Sequence, residues 1–166
     1  PGEPWAKLLA AAESLRAHAD GIVQAMKDEI GATEGWARFN VMLAADMLVE
    51  AGALTTQIKG EIVPSNRPGS TAFAIRQPAG VVLAMAPWNA PVILAVRSIA
   101  TPLACGNTVV MKTSELCPRV HALVVEAVAA AGFPDGVLNA ISNAPDDAPR
   151  IVEALIANPA VRRVNF

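Results

Sequence analysis

Residues Pro78–Pro118 read PAGVVLAMAPWNAPVILAVRSIATPLACGNTVVMKTSELCP. The segment opens on a short apolar run, Val81 to Met85, bounded by Gly80 and Pro87, the pattern of a strand buried on both faces. After Trp88 and Asn89, the apolar stretch Val92 to Leu103 is long enough for a helix, and Pro91 suits its first turn, where a missing N–H costs nothing. Gly106-Asn107 closes that helix, and Thr108 to Met111 is a second β-branched run. Strand, helix and strand in about thirty residues make a βαβ unit, whose crossover is right-handed. Ligands of open α/β sheets sit beyond the carboxyl ends of the strands. The polar residues fall at those two ends: Trp88 and Asn89 after the first strand, Lys112, Ser114 and Glu115 after the second.

On the carboxyl side the alternation continues. Pro118 opens a helix to about Ala131 with Val120, Leu123, Val124, Ala127 and Val128 facing in; Gly132 ends it, and Val137 to Ile141 is a third strand. A helix over Ala148–Ala157 and a fourth strand from Arg163 to Phe166 follow. On the amino side, Thr71–Arg76 and Glu61–Val63 flank the turn-rich Pro64–Ser70 and predict a hairpin, a ribbon that is marginal alone and wants a third strand or another chain. Before it the pattern is helical: Trp5, Leu8, Leu9, Ala12 and Leu15, then Ile22, Val23, Met26 and Ile30 with Asp20 as N-cap. A third helix spans Glu34–Gln57, with Phe39, Met42, Leu43, Met47, Leu48 and Leu54 on its core side. The predicted organisation is an N-terminal helical segment (1–57), a hairpin (58–77) and an α/β core (78–166).

Composition narrows the function classes. The 166 residues are 53% hydrophobic, enough for a real core, and the formal charge of −2 with interspersed signs recommends no nucleic-acid or polyanion partner. Apolar runs are broken before about 18 residues, so no transmembrane span is expected, nor does the N-terminus pattern as a signal peptide. Two cysteines without metal spacing suggest free thiols in a reducing, cytoplasmic setting and no metal site. Cys105, at a helix C-terminus, is expected to be a small core residue; Cys117, at a helix start, is where a dipole would lower a thiol pKa. His18 and His121 are expected on helix surfaces.

APWNAP, PLACGNTVVMK and the following KTSE resemble the cofactor-domain core of the NAD(P)-dependent aldehyde dehydrogenase superfamily, and the similarity extends through AGFPDGVLN (131–139) and RRVNF (162–166) and back to about Trp36. Within it, GWARFNVMLAADML and PWNAPVILAVRSIATPLACGN are most similar to the vanillin, salicylaldehyde and benzaldehyde dehydrogenases. The resemblance implies a Rossmann-like parallel sheet in βαβαβαβ order, preceded by helices and by a projecting hairpin that serves oligomerisation in a homodimer or homotetramer.

It also implies roles. Asn89 is the side-chain amide of the oxyanion site, Lys112 and Glu115 contact the adenosine ribose beside Ser114, and backbone groups at Ala86, Pro87 and Trp88 line the nicotinamide side. By residue chemistry alone, Asn89 reads equally as a helix cap and Lys112–Glu115 as a surface ion pair. Glu115 favours NAD over NADP. The nucleophilic Cys and the general-base Glu of the family have no counterpart here, so the chain reads as the N-terminal part of a longer enzyme, inactive alone, that oxidises an aromatic aldehyde. An aliphatic or semialdehyde dehydrogenase of the same superfamily is the alternative, and a non-catalytic binding or assembly module is the reading for a complete chain. Three departures from the family pattern stand out: Thr113 where many members have Pro, Arg97-Ser98 where a Lys often follows an aromatic residue, and Ser142–Asp147 in place of a Gly-rich loop. The G-x-G-x-x-G fingerprint is absent.

Overall fold

The computed structural model describes residues 2–166. Three helices, α1 (Gly2–Ala17), α2 (Ala19–Ile30) and α3 (Glu34–Leu54), lead through a short 3-10 turn to an antiparallel hairpin of β1 (Glu61–Val63) and β2 (Ala72–Ala74). The α/β core follows as β3 (Val81–Met85), α4 (Pro91–Ala104), β4 (Thr108–Lys112), α5 (Pro118–Ala129), β5 (Leu138–Ile141), α6 (Ala148–Ala157) and β6 (Val161–Asn165). The last strand begins two residues earlier than expected.

The four core strands are parallel in the order β5-β4-β3-β6. The chain therefore steps outward from β3 through β4 to β5, then returns to the other edge of β3. Strand alternation sends Val82, Ala84, Val109 and Met111 to the face covered by α4 and α5, where they join one core with α1–α3. Leu83, Met85, Val110 and Lys112 point the other way; Met85 and Lys112 line one cleft with Val152 of α6.

Two asparagines tie this sheet to α4. Asn107 Oδ1 accepts from the N–H groups of Ala79 (2.7 Å) and Gly80 (3.0 Å), while its Nδ2 donates to the Pro102 carbonyl. Pro102 lies inside α4 and has no N–H to give the Ser98 carbonyl one turn back. Asn165, at the end of β6, supplies the missing donor: its Nδ2 reaches Ser98 O at 3.1 Å.

The helical layer packs through small residues. The buried face of α3 is Ala37, Asn40, Val41, Ala44, Ala45, Leu48, Ala51 and Gly52, so of the expected core side only Leu48 is buried. Phe39, Met42 and Leu54 are exposed, as is Trp5 in α1. The expectation weighted bulky side chains, whereas close helix approach selects alanine and glycine: a Cβ on Gly52 would meet Trp5 at 3.3 Å and Leu8 at 3.4 Å. Asp20 lies inside α2, whose N-cap is His18, and it pairs with Arg38 instead. Among the described residues the hairpin forms no strand pairing beyond itself, and it exposes Ile62, Phe73 and Ile75. Among the described residues, no helix is long and apolar enough to cross a membrane.

Asn165→Ala is expected to leave the Ser98 carbonyl without its donor and to cost about 1–3 kcal/mol of stability, measured as a shift in the urea unfolding midpoint at unchanged m-value.

Candidate functional site

A parallel sheet offers a crevice where consecutive strands depart to opposite sides, and here that reversal lies between β3 and β6. A cleft of about 240 Å³ opens at this end of the strands, lined by Met85, Ala86, Pro87, Trp88, Lys112, Ser114, Glu115, Val152 and Phe166. It brings together Ala86, Pro87, Trp88, Lys112, Ser114 and Glu115, the six residues expected along a cofactor. A larger cleft of about 510 Å³, lined by Lys59, Glu61, Arg76 and Cys105 among others, lies at the hairpin root and the amino ends of the strands. Size favours the second, but chemistry favours the first, which holds the ionised pair and the strand carboxyl ends.

Lys112 and Glu115 form a direct ion pair, with side chains 11% and 20% exposed, so the pair is neither a solvated surface contact nor sealed from a ligand. Asn143 Nδ2 also donates to Glu115 Oε1, at 2.9 Å. Burial pushes the Glu115 carboxyl up, but hydrogen bonds from Lys112, its own backbone amide and Asn143, with the Lys112 charge, outweigh this and bring it down to about 2. Glu115 is therefore an anion at every working pH. Lys112 and Asn143 both bond to Oε1, which leaves Oε2 without a side-chain partner among the described residues.

His121 holds the loop that carries these groups. Far from a helix-surface position, it is fully buried, and its Nδ1 accepts from the Ser114 N–H at 3.0 Å. That bond assigns the proton to Nε2, which faces Cys117 Sγ at 3.9 Å, with the Pro91 carbonyl a further partner of the ring. Burial pushes the imidazole down to about 4, helped by the Lys112 charge and opposed by the Pro91 bond. Glu29, from α2, caps the next helix from outside: its two carboxylate oxygens accept from the Arg119 and Val120 N–H groups at 2.8 and 2.9 Å. Ser114 turns its hydroxyl to the Leu116 N–H, shaping the turn.

The cysteines reverse expectation. Cys105 is exposed, because the helix ends in a turn that faces the hairpin-root cleft. Cys117 is fully buried, and burial drives its thiol up to about 11, overriding any dipole effect at the start of α5. Asn89 is exposed and makes no cap; the N-cap of α4 is Ala90, with no side-chain bond. Its carbonyl accepts from Trp36 Nε1 at 3.4 Å, and Trp36 stacks on Phe39 at 5.7 Å. Sequence reasoning missed Asn143 and His121. Asn143 stands just past the third strand, where the same strand-end rule would have found it; His121 lies three residues before Val124 and seven before Val128, on the helix face that carries the buried valines, so helical spacing would have found it.

A carboxylate held ionised with one oxygen free of side-chain partners, beside an ammonium, suits a vicinal diol such as a ribose, so these residues fit a dinucleotide at this crevice. Parallel strands with helices on both sides and a polar crevice at the strand reversal define the Rossmann-like class of α/β domain. The chain belongs to the aldehyde dehydrogenase family, whose model matches residues 3–166. It is 61% identical over 166 residues to the vanillin dehydrogenase of Pseudomonas fluorescens, covering 100% of this chain and 34% of that protein. The salicylaldehyde dehydrogenase of Pseudomonas putida G7, solved with salicylaldehyde, superposes with a TM-score of 0.97 at 43% identity, covering 100% of this chain and 34% of that one. An NAD-dependent benzaldehyde dehydrogenase from Corynebacterium glutamicum gives 0.92 at 31% identity, covering 98% and 35%. An NADP-dependent enzyme of E. coli is among the similar structures too. The chain thus spans about a third of the length of the curated relatives it matches.

Because the folded-state pKa of His121 is depressed, its contribution to stability is present above about pH 6.5 and is lost as pH falls toward about 4. His121→Gln, which keeps an acceptor and cannot titrate, is expected to flatten the stability–pH slope across that window by up to one proton, about 1.4 kcal/mol per pH unit, measured by urea unfolding at several pH values.

Proposed function

We propose that this chain is the cofactor-binding part of an aldehyde dehydrogenase that oxidises an aromatic aldehyde to its carboxylic acid with NAD. The observation that carries the reading is the Lys112–Glu115 pair with its spare carboxylate oxygen, set in the crevice where β3 and β6 part. Support for the aromatic substrate comes from the kinship to vanillin and salicylaldehyde dehydrogenases across the whole chain. In this reading Glu115 accepts from the adenosine ribose hydroxyls, Lys112 donates to the same group, and backbone groups at Ala86, Pro87 and Trp88 line the nicotinamide side. NAD supplies the hydride acceptor; the chain supplies position and electrostatics.

Asn89 acts on the substrate. Attack of a thiolate on an aldehyde places negative charge on the former carbonyl oxygen, and a fixed amide N–H stabilises it. The Asn89 amide is available for this, since it is exposed and does not cap α4, and the Trp36 bond to its carbonyl holds the backbone that carries it. Neither cysteine of this chain is placed to be the nucleophile, since Cys117 is buried and protonated and Cys105 lies at the far end of the sheet. The exposed apolar hairpin serves assembly into a homodimer or homotetramer.

A 2′-phosphate within about 4–5 Å of Glu115 would meet a repulsion on the order of 3–4 kcal/mol at an effective dielectric of about 20, which favours NAD. In the full-length enzyme, benzaldehyde-type substrates are expected to be turned over with a higher kcat/KM for NAD than for NADP, and Glu115→Gln narrows the gap chiefly by improving NADP. A preference for NADP in the unmutated enzyme, or no turnover of aromatic aldehydes, would overturn the reading. Asn89→Ala is expected to slow acylation by about a hundredfold or more with NAD affinity unchanged, measured as the pre-steady-state rate of NADH formation.

A further inference from the structure

The segment Ser142–Asp147 follows β5, and one of its residues enters the site. Asn143 Nδ2 donates to Glu115 Oε1 at 2.9 Å and to the Ala144 carbonyl at 2.8 Å. Two acceptors on that side assign the amide nitrogen there; the flipped amide would set oxygen against oxygen. The same orientation buries Asn143 Oδ1 with no partner. An unpaired buried carbonyl is destabilising, and the fold tolerates it at the residue that grips the carboxylate.

Lys112 and Asn143 grip Glu115 differently. Lys112 lies three residues before Glu115 in the same turn, and its ammonium sits on a four-carbon stem that does not fix the orientation of the carboxylate. Asn143 comes from another strand end, 28 residues away, and is anchored to its own backbone through Ala144. A carboxylate bonded to it on Oε1 is pinned, with Oε2 left for a ligand.

We propose that Asn143 is a specificity-determining positioning residue: it pins the Glu115 carboxylate so that Oε2 meets a ribose 2′-hydroxyl, and it blocks the turn by which Glu115 would make way for a 2′-phosphate. The proposal rests on the reading of this cleft as a dinucleotide site. Without Asn143, Glu115 swings aside and Lys112 is freed to pair with the phosphate. Discrimination against NADP then resides in a contact between two loops as well as in the charge of Glu115.

The test uses the full-length enzyme and equilibrium binding of ADP-ribose and 2′-phospho-ADP-ribose by calorimetry, with no turnover required. Asn143→Ala, and Asn143→Gly as the smallest change to the turn, are expected to tighten 2′-phospho-ADP-ribose about tenfold while ADP-ribose changes less than threefold. Loss of a hydrogen bond to the carboxylate also raises the Glu115 pKa, so the acid limb of ADP-ribose binding moves to higher pH in both variants. A merely structural asparagine would weaken both ligands alike and leave that limb in place. Equal weakening of both ligands, or an unchanged ratio in whichever variant folds, would overturn the proposal while leaving the dinucleotide site standing. Failure of the unmutated enzyme to bind either ligand would overturn the dinucleotide reading itself.

Discussion

Strand β3 is hydrogen-bonded along both edges, to β4 on one side and β6 on the other. Every polar group of the candidate site is placed relative to its carboxyl end. A strand paired on both sides cannot slip by one residue without sending Val82 and Ala84 out of the helical core and Leu83 into it. Register is therefore rigid here, and the loops leaving β3 and β4 start from fixed points. Because parallel neighbours run the same way, those loops emerge on the same edge, and Trp88 and Glu115 come to line one cleft from 27 positions apart.

Bonds that cross between elements then fix the loops themselves. Glu29 from α2 caps α5, His121 from α5 accepts from the Ser114 N–H, and Asn165 from β6 satisfies the carbonyl that Pro102 leaves open in α4. Each closes a backbone polar group that its own helix or turn leaves without a partner, so positioning and satisfaction are one requirement. The helical layer contributes shape more than charge, its alanine-rich faces letting α3 lie close against α1 and α4.

Electrostatics in the site follow from how many donors each buried group finds. Glu115 is partly desolvated yet strongly acidic, because Lys112, Asn143 and its own amide face it. Cys117 is desolvated with little to offset it, and its thiol is held neutral. His121 is neutral chiefly because it is buried, and the nearby Lys112 charge adds to this while the Pro91 carbonyl only partly opposes it. Three titratable groups within seven residues thus divide into one ionised carboxylate and two neutral side chains. Sequence position does not distinguish them; the count of facing donors does.

The sequence alone was enough for the alternation of strands and helices from Val81 onward, because Pro87, Pro91, Gly106, Pro118 and Gly132 punctuate it with local backbone chemistry. It was also enough to mark Ala86–Asn89 and Lys112–Glu115 as strand-end groups, since that depends only on where apolar runs stop. Periodicity misled in α3, where Phe39 and Met42 face outward and the alanines are buried, because a hydrophobicity pattern does not record which face a neighbour can approach. The strand order β5-β4-β3-β6 and the reach of Asn143 to Glu115 were decided only by tertiary structure. Each is a long-range relation: it depends on which edge of β3 the returning strand takes and on which groups then meet across the cleft, and neighbouring residues carry no information about either.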